Sequence, residues 1–278
     1  MSIDTTTEVP TIPASDHPVP HPQPLRPLRD AATVAVRNLI AYIRVPQLLV
    51  FSTVQPVIFV LLFRYVFGGA VKLPPTVRYP YVDFLMPGIF VQTTVFGSIA
   101  TAVGLATDIK SGLLERFRSL PMARSALLAG RTTADLARNV VVVILMLVVG
   151  FAVGFRIQTN VVALLAALGL VLLFGYTMSW VFATVGLAVG DPETAQAAAF
   201  PVMAPLVFAS SAFIPVSTMP TWLQGFATHQ PVSVTASAVR ALVDGGATTS
   251  SVVQCLAWCI GILVVFAPLA VRRYRRAV

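Results

Sequence analysis

The chain has 278 residues, of which 56% are hydrophobic and only 11% charged, with a mean hydropathy of +0.83. A soluble domain carries about 25% charged residues, so this composition excludes a water-borne fold of this size. The net charge of +8 would point to nucleic acid in a soluble protein. Here the basic residues sit at the ends of apolar stretches, where they set membrane topology instead, so no nucleic-acid partner is expected.

Residues 1–25 are rich in Pro, Thr and Ser and lack an apolar core. They read as a disordered cytoplasmic tail without a signal peptide, which leaves the first span to act as an uncleaved anchor. Residues 26–46 have helical periodicity: Val34, Val36, Leu39, Ile40 and Ile43 are apolar, against polar Arg29, Asp30, Arg37, Asn38 and Arg44. That pattern is too short and too charged to cross a bilayer and fits an interfacial amphipathic helix. Residues 47–271 then hold six apolar stretches near the roughly 20 residues a membrane-crossing helix needs. They are expected at about Gln47–Phe67, Asp83–Thr107, Asn139–Phe155, Val161–Val189, Ala195–Ile214 and Ser251–Val271. The basic tail 272–278 halts translocation. The fold class is therefore all-α and integral to the membrane, with six spans.

Even-numbered crossing puts both termini on one side. That side collects 14 of the 19 basic residues, including Lys110, Arg116, Arg118, Arg124, Arg131 and Arg138 between the second and third spans. The imbalance assigns both termini and the segment 108–138 to the cytoplasm of a cell membrane. The preference for Arg over Lys, with abundant Ala and Val, is a weak pointer to a high-GC bacterial genome.

Catalytic and cofactor chemistry is thin. The only lysines are Lys72 and Lys110, and Ile109 precedes Lys110 where a phosphate-cradling loop needs Gly. His17, His21 and His229 are scattered, and Cys255 and Cys259 fall i,i+4 on one apolar helix, which is ordinary packing rather than a redox or metal pair. No metal site, no cofactor and no enzymatic activity are expected of this chain. Asp83, Asp108, Asp191 and Glu193 fall at span ends, so a mid-membrane site for a gradient-driven carrier is not expected either.

Two segments look purposeful. In 108–121, Asp108 is placed to cap a short helix that Pro121 ends. Ile109, Leu113 and Phe117 make an apolar ridge, and Lys110, Glu115, Arg116 and Arg118 a charged face. Such an element either docks in a partner's groove or rests on anionic headgroups. In 215–246, two short helical patterns are punctuated by Pro220 and Pro231 and carry Trp222, Arg240 and other polar residues. They form either a surface cap or a lid over a pathway, as short helices dipping into the outer leaflet. Arg240 is expected to reach headgroups or to pair with Asp244 at i,i+4.

The stretch Leu114-Glu115-Arg116-Phe117-Arg118-Ser119-Leu120-Pro121-Met122-Ala123-Arg124, with Gly130-Arg131 and Asp135, resembles the cytoplasmic loop of type-2 ABC exporter permeases, the daunorubicin-resistance group in particular. Phe213-Ile214-Pro215, Met219-Pro220-Thr221-Trp222-Leu223, Gln230-Pro231-Val232-Ser233 and Arg240-Ala241-Leu242 resemble that family's fifth-to-sixth-span signature, with Gln230 where many relatives carry Asn. The resemblance covers about residues 28–275. It implies an ATP-driven exporter in which two six-span permeases, identical or sister chains, each dock on one of two ABC ATP-binding subunits. ATP and Mg would be bound by those partners.

Carried over, Asp108, Ile109, Lys110, Leu113, Leu114, Glu115, Arg116, Phe117, Arg118, Leu120 and Pro121 belong to the coupling helix that seats on the ATPase. Arg29, Arg37 and Arg44 belong to the interfacial helix. Pro215, Pro220, Trp222, Pro231 and Arg240 mark extracellular re-entrant helices forming a gate. The path would run along the first, second and fifth spans, with Phe59, Phe63, Phe96, Phe200 and Phe208 suiting an apolar or amphipathic cargo such as a drug, lipid or glycolipid. The competing readings are a gradient-driven carrier or channel without an ATPase, and a non-transporting membrane scaffold.

Overall fold

The computed structural model describes residues 46–69, 71, 73, 79–112, 124–246 and 248–277, and every regular element among them is helical. The expectations for Arg29, Arg37 and Arg44, and for Leu113, Leu114, Glu115, Arg116, Phe117, Arg118, Leu120 and Pro121, lie outside the described residues.

The chain starts with α1 (Pro46–Leu61), extended by a π-helical turn at Leu62–Val66. Then come α2 (Tyr81–Lys110), α3 (Arg124–Val153) and α4 (Val161–Val189). After α5 (Pro192–Phe208) and a 3-10 turn at Val216–Thr218 come two short helices, α6 (Thr221–His229) and α7 (Pro231–Asp244). The long α8 (Thr248–Ala277) closes the chain. Among the described residues, four helical stretches are long and apolar enough to cross a membrane: Tyr81–Lys110, Leu128–Val153, Val161–Val189 and Thr248–Arg275. α1 and α5 run beside them but are shorter in the described residues: the apolar stretch of α1 and its π-helical turn covers Thr53–Val66, and α5 has 17 residues.

The helices alternate in direction between a Tyr81 end and a Lys110 end. At the Tyr81 end the turn after α3 meets the end of α7: Gln158 N–H donates to Val243 O (3.0 Å) and Thr159 Oγ1 to Leu242 O (2.7 Å). At the Lys110 end Lys110 Nζ reaches Asp191 Oδ1 at 2.7 Å.

α2 is the axle. Its residues 81–95 are all buried, because helices pack on every face of this largely apolar stretch and its one charged residue, Asp83, accepts from Arg156 N–H at 2.9 Å. It packs chiefly on α4, then on α5, α3 and α7. Small residues permit the approach: a side chain at Gly186 of α4 would strike the backbone of Ala102, and Ser98 Oγ donates across to Gly175 O at 3.0 Å. Close backbone contact of this kind replaces the hydrophobic drive that is missing between helices in lipid. α8 is the outlier: only 11% of its apolar window is buried. Its buried face is narrow, and Cys255 and Cys259 lie on it, with Cys255 Sγ 3.3 Å from Thr235 Oγ1.

Local chemistry fixes the ends. Asn160 caps α4 by accepting from Ala163 N–H (2.8 Å), and Asp191 caps α5 by accepting from Thr194 N–H (3.1 Å), with Pro192 in the first helical position. Gln230 caps α7 by accepting from Val232 N–H at 3.1 Å.

Three expected boundaries are corrected. The third helix begins at Arg124 rather than near Asn139, because Arg131, Asp135 and Arg138 share one face turned onto α2. The fifth ends at Phe208 rather than Ile214. Pro201 and Pro205 remove two helical donors, and the unwound backbone beyond them finds other partners. Asp108, Ile109 and Lys110 form the last turn of α2, so Asp108 does not cap a new helix.

Candidate functional site

A cavity of about 450 Å³ opens between α1, α2, α3 and α5. Gln55 and Pro56 come from α1, Thr93, Phe96, Gly97, Ile99, Ala100 and Val103 from α2, Arg138, Asn139 and Val142 from α3, and Gln196, Phe200 and Met203 from α5. At a rise of about 1.5 Å per residue, Gly97 lies roughly 24 Å along α2 from Tyr81 and roughly 20 Å from Lys110. The cavity is therefore near the middle of the apolar thickness.

Its polar wall is built by α3. Arg131, Asp135, Arg138 and Asn139 fall at i, i+4, i+7 and i+8, one helical face. Asp135, Arg138 and Asn139 are buried. Thr101 Oγ1 donates to Asp135 Oδ2 (2.5 Å), and Arg138 Nη2 donates to Gly97 O (2.5 Å) and Asn139 Oδ1 (3.3 Å). Arg131 Nη1 closes the row on Asp108 Oδ2 at 2.5 Å.

Buried Asp135 and Arg138 correct the expectation that no charged or polar site lies near mid-membrane. Taken along the chain, these charges assign the segment to a cytoplasmic loop; folded, they share one face of α3. The 3.6-residue spacing of Arg131, Asp135, Arg138 and Asn139 was the available signal.

The five phenylalanines divide between two places. Phe96 and Phe200 line the cavity. Phe59, Phe63 and Phe208 gather instead around Phe213 nearer the Tyr81 end, with ring centroids 5.7, 4.5 and 6.1 Å from it. Phe200 and Phe208 are about half exposed on the isolated chain, as are Val54, Ile58 and Leu61 of α1, so α1 and α5 leave apolar surface uncovered.

At the Tyr81 end the gate residues are handled differently from one another. Pro231 and Pro215 are buried at the starts of α7 and the 3-10 turn, Pro220 is exposed before α6, and Trp222 points outward at 80% exposure. Arg240 neither reaches outward nor pairs with Asp244. It is buried, with its Nε donating to Phe84 O (2.8 Å), Nη1 to Ser211 Oγ (3.2 Å), and Nη2 to Ser211 O (2.6 Å) and Ala212 O (3.2 Å). Its guanidinium carbon stands 3.8 Å from the centroid of the Phe84 ring. The planar five-donor fork suits this cluster of backbone acceptors. Ser211 N–H donates to Ser233 Oγ at 2.9 Å, and Gln230 Nε2 bridges Leu206 O (2.9 Å) and Ser233 Oγ (3.1 Å). The chain unwound after α5 is thus stitched to α2 and α7 by Arg240, Ser233 and Gln230. Gln230, which departs from the family pattern, spans both contacts.

Beyond Arg240, burial pushes the Asp244 carboxyl up to about 7, the nearby Asp83 carboxylate adding to the rise and Arg240 opposing it. At the other end, the Lys110 ammonium and the Thr194 N–H hold the exposed Asp191 carboxyl down to about 2. It stays ionised across the physiological range.

The family model for the ABC-2 type transporter matches residues 30–243. The chain is 35% identical over 255 residues to the daunorubicin resistance ABC transporter permease protein DrrB1 of Streptomyces coeruleorubidus, covering 90% of this chain and 89% of that protein. It is 30% identical over 227 residues to the probable doxorubicin resistance ABC transporter permease protein DrrC of Mycobacterium tuberculosis, 81% of each. It is 26% identical over 201 residues to the putative transport permease ycf38 of Porphyra purpurea, covering 71% of this chain and 68% of that one.

Proposed function

The chain belongs to the ABC-2 type transporter family and is the membrane-embedded permease of an ABC exporter; from that premise we propose that it moves a lipophilic drug, lipid or glycolipid outward, driven by ATP hydrolysis on a separate subunit. The observation that carries this reading is the mid-depth cavity between α1, α2, α3 and α5, walled by Phe96 and Phe200 and open on the side where α1 and α5 leave apolar side chains uncovered.

In this reading α1, α2, α3, α4, α5 and α8 are the six spans, and α6 and α7 are re-entrant helices capping the extracellular, Tyr81 end. The Lys110 end and both termini face the cytoplasm. Moving Arg138 and Arg240 out of the count of loop charges removes one from each side and leaves the basic excess at that end. A second permease, identical or a sister chain, covers the open face of the cavity. Each permease docks on one of two ATP-binding subunits through the segment 108–121, with the amphipathic segment around Arg29, Arg37 and Arg44 alongside. Closure of the ATPase pair displaces that coupling segment. The motion reaches the cavity through α2, because Asp108 at the foot of α2 is tied to Arg131 of α3 and Lys110 to Asp191 of α5.

The test is co-purification. Tagged chain taken from its own membranes carries an ATP-binding subunit, and Glu115→Arg or Phe117→Asp removes that subunit while insertion and yield are unchanged. An intact complex with undiminished ATPase stimulation in both variants overturns the coupling role. A second reading, a gradient-driven carrier, is favoured by the buried row of Asp135 and Arg138, since ionisable groups inside a membrane bundle mark ion or substrate pathways. It predicts transport by the purified chain alone under an ion gradient.

A further inference from the structure

The hairpin of α6 and α7 carries polar side chains into the apolar layer. Its bend at Gln230 lies roughly 20 Å along α7 from Asp244, and Val243, beside Asp244, is bonded to Gln158 at the Tyr81 end. From the other side, Gln230 Nε2 reaches Leu206 O of α5, roughly 20 Å along α5 from Pro192 and the Lys110 end. Both rulers put the bend near mid-depth. There α6, α7 and α8 border a groove of about 600 Å³, lined by Thr228 and His229 of α6, Val234 of α7, and Gln254, Ala257 and Trp258 of α8. The three α8 residues fall at i, i+3 and i+4, one helical face. They are exposed on the isolated chain, as are Thr228 and His229.

Polar groups at this depth need a partner other than water, which the hydrocarbon does not supply. His229 defines what that partner must offer. Its Nδ1 stands 3.0 Å from Gly225 O. A carbonyl only accepts, so the proton sits on Nδ1 and Nε2 of the neutral ring is an acceptor. Thr228 Oγ1 donates to Gln224 O at 2.7 Å, which leaves its oxygen lone pairs as acceptors too. The groove therefore asks for a donor. No carboxylate, Lys or Arg lines it, so a charged head would enter the apolar layer without a counter-charge. An uncharged hydroxyl on an apolar body fits both conditions. Val234 and Trp258 wall the body, and α8, with only 11% of its apolar window buried, offers a bare track for its chains.

Independently of the exporter reading, we propose that the groove between α6, α7 and α8 is a lateral site for a neutral, hydroxyl-headed lipid of the diacylglycerol kind, its hydroxyl donating to His229 Nε2. Lacking a charged head to hold at the water, such a lipid reaches this depth at a cost that a phospholipid headgroup cannot match.

The experiment is tryptophan quenching on the full chain in phosphatidylcholine nanodiscs, without ATPase. Trp222→Phe leaves Trp258 as the exposed indole, since Trp180 is buried. The probes are a dibrominated diacylglycerol and its methyl ether, which has the same chains and no donor. Quenching by the alcohol should saturate at a mole fraction roughly threefold to tenfold lower than by the ether, the scale of one neutral hydrogen bond. His229→Leu should erase that preference, and His229→Gln, which keeps an acceptor, should retain it. Ala257→Phe, which fills the groove from α8 and keeps His229, should remove the saturable quenching by both.

Equal quenching by alcohol and ether overturns the proposal, as does a preference that survives His229→Leu. Dibrominated phosphatidylcholine that saturates as early as the diacylglycerol overturns it as well, reducing the groove to a general lipid contact. If that phospholipid as bulk lipid leaves Trp258 unquenched, a second copy of the chain or another protein surface covers the groove, and the site falls. Should His229→Leu fail to insert, the alcohol–ether comparison and Ala257→Phe decide alone. With no ATPase present, a failed site leaves the exporter reading untouched, and a chain that binds the lipid yet never associates with an ATPase refutes only that reading.

Discussion

Two arginines show how a membrane bundle keeps a permanent charge inside. Arg240 does so with three backbone carbonyls and one hydroxyl, four acceptors on two chain segments, and an aromatic face. Arg138 does so with a carbonyl on α2 and the neighbouring amide. The difference has consequences. Arg240 fills its donors locally and is structural, whereas Arg138 stands in the wall of a cavity. Arg240→Gln is expected to lower the melting temperature of the detergent-solubilised protein by roughly 5–10 °C, the effect of leaving several buried acceptors unpaired. Arg240→Lys should recover little of it, since one ammonium cannot reach Phe84 O and Ala212 O at once. Fluorescence-detected size-exclusion after a heating series measures both, and an unchanged midpoint in either variant removes Arg240 from this role.

At the scale of elements, the join between α2 and the unwound segment after α5 is set by the absence of a side chain. A Cβ at Gly88 would strike the carbonyl of Ala212, the same carbonyl that Arg240 holds. Gly169 of α4 has open space in the same test. Gly88→Val is therefore expected to push the segment off α2 and reduce the yield of monodisperse protein severalfold, while Gly169→Val leaves it unchanged. Equal yields would show that the segment relaxes freely. Tyr81 Oη, donating to Phe213 O at 2.8 Å, fastens the same segment about two turns of α2 away from Gly88. The end of α5 is thus fixed by α2 from two positions, and it moves only if α2 or α7 moves with it.

For the molecule as a whole, direction across the membrane is the property on which the coupling scheme depends. Both native cysteines are buried, so an added cysteine reports alone. Thr218→Cys, at the exposed 3-10 turn of the Tyr81 end, should be blocked in intact cells by a membrane-impermeant maleimide. Ser111→Cys, exposed just past α2, should react only after the cells are opened. The reverse pattern would invert the topology and place the segment 108–121 out of reach of any cytoplasmic ATPase.

Sequence alone determined that the chain lives in the membrane, that its elements are helices and, through the ordered motifs at 114–135 and 213–242, the family. These follow from local quantities: the length of apolar runs, the positions of Pro and Gly, and the order of short motifs. Val161–Val189 was legible to the residue because Asn160 caps it and its apolar run has no interruption. The start of α3 and the end of α5 were not legible. A charged stretch reads as loop until a partner helix covers it, and an apolar stretch reads as helix until something competes for its backbone. Only the tertiary structure decided that Arg138 and Asp135 lie inside the bundle. It also turned Arg240 inward, and it separated Phe96 and Phe200 at the cavity from Phe59, Phe63 and Phe208 around Phe213. Each of these depends on which acceptors the packing of distant helices brings within hydrogen-bonding reach, and no spacing along the chain encodes that distance.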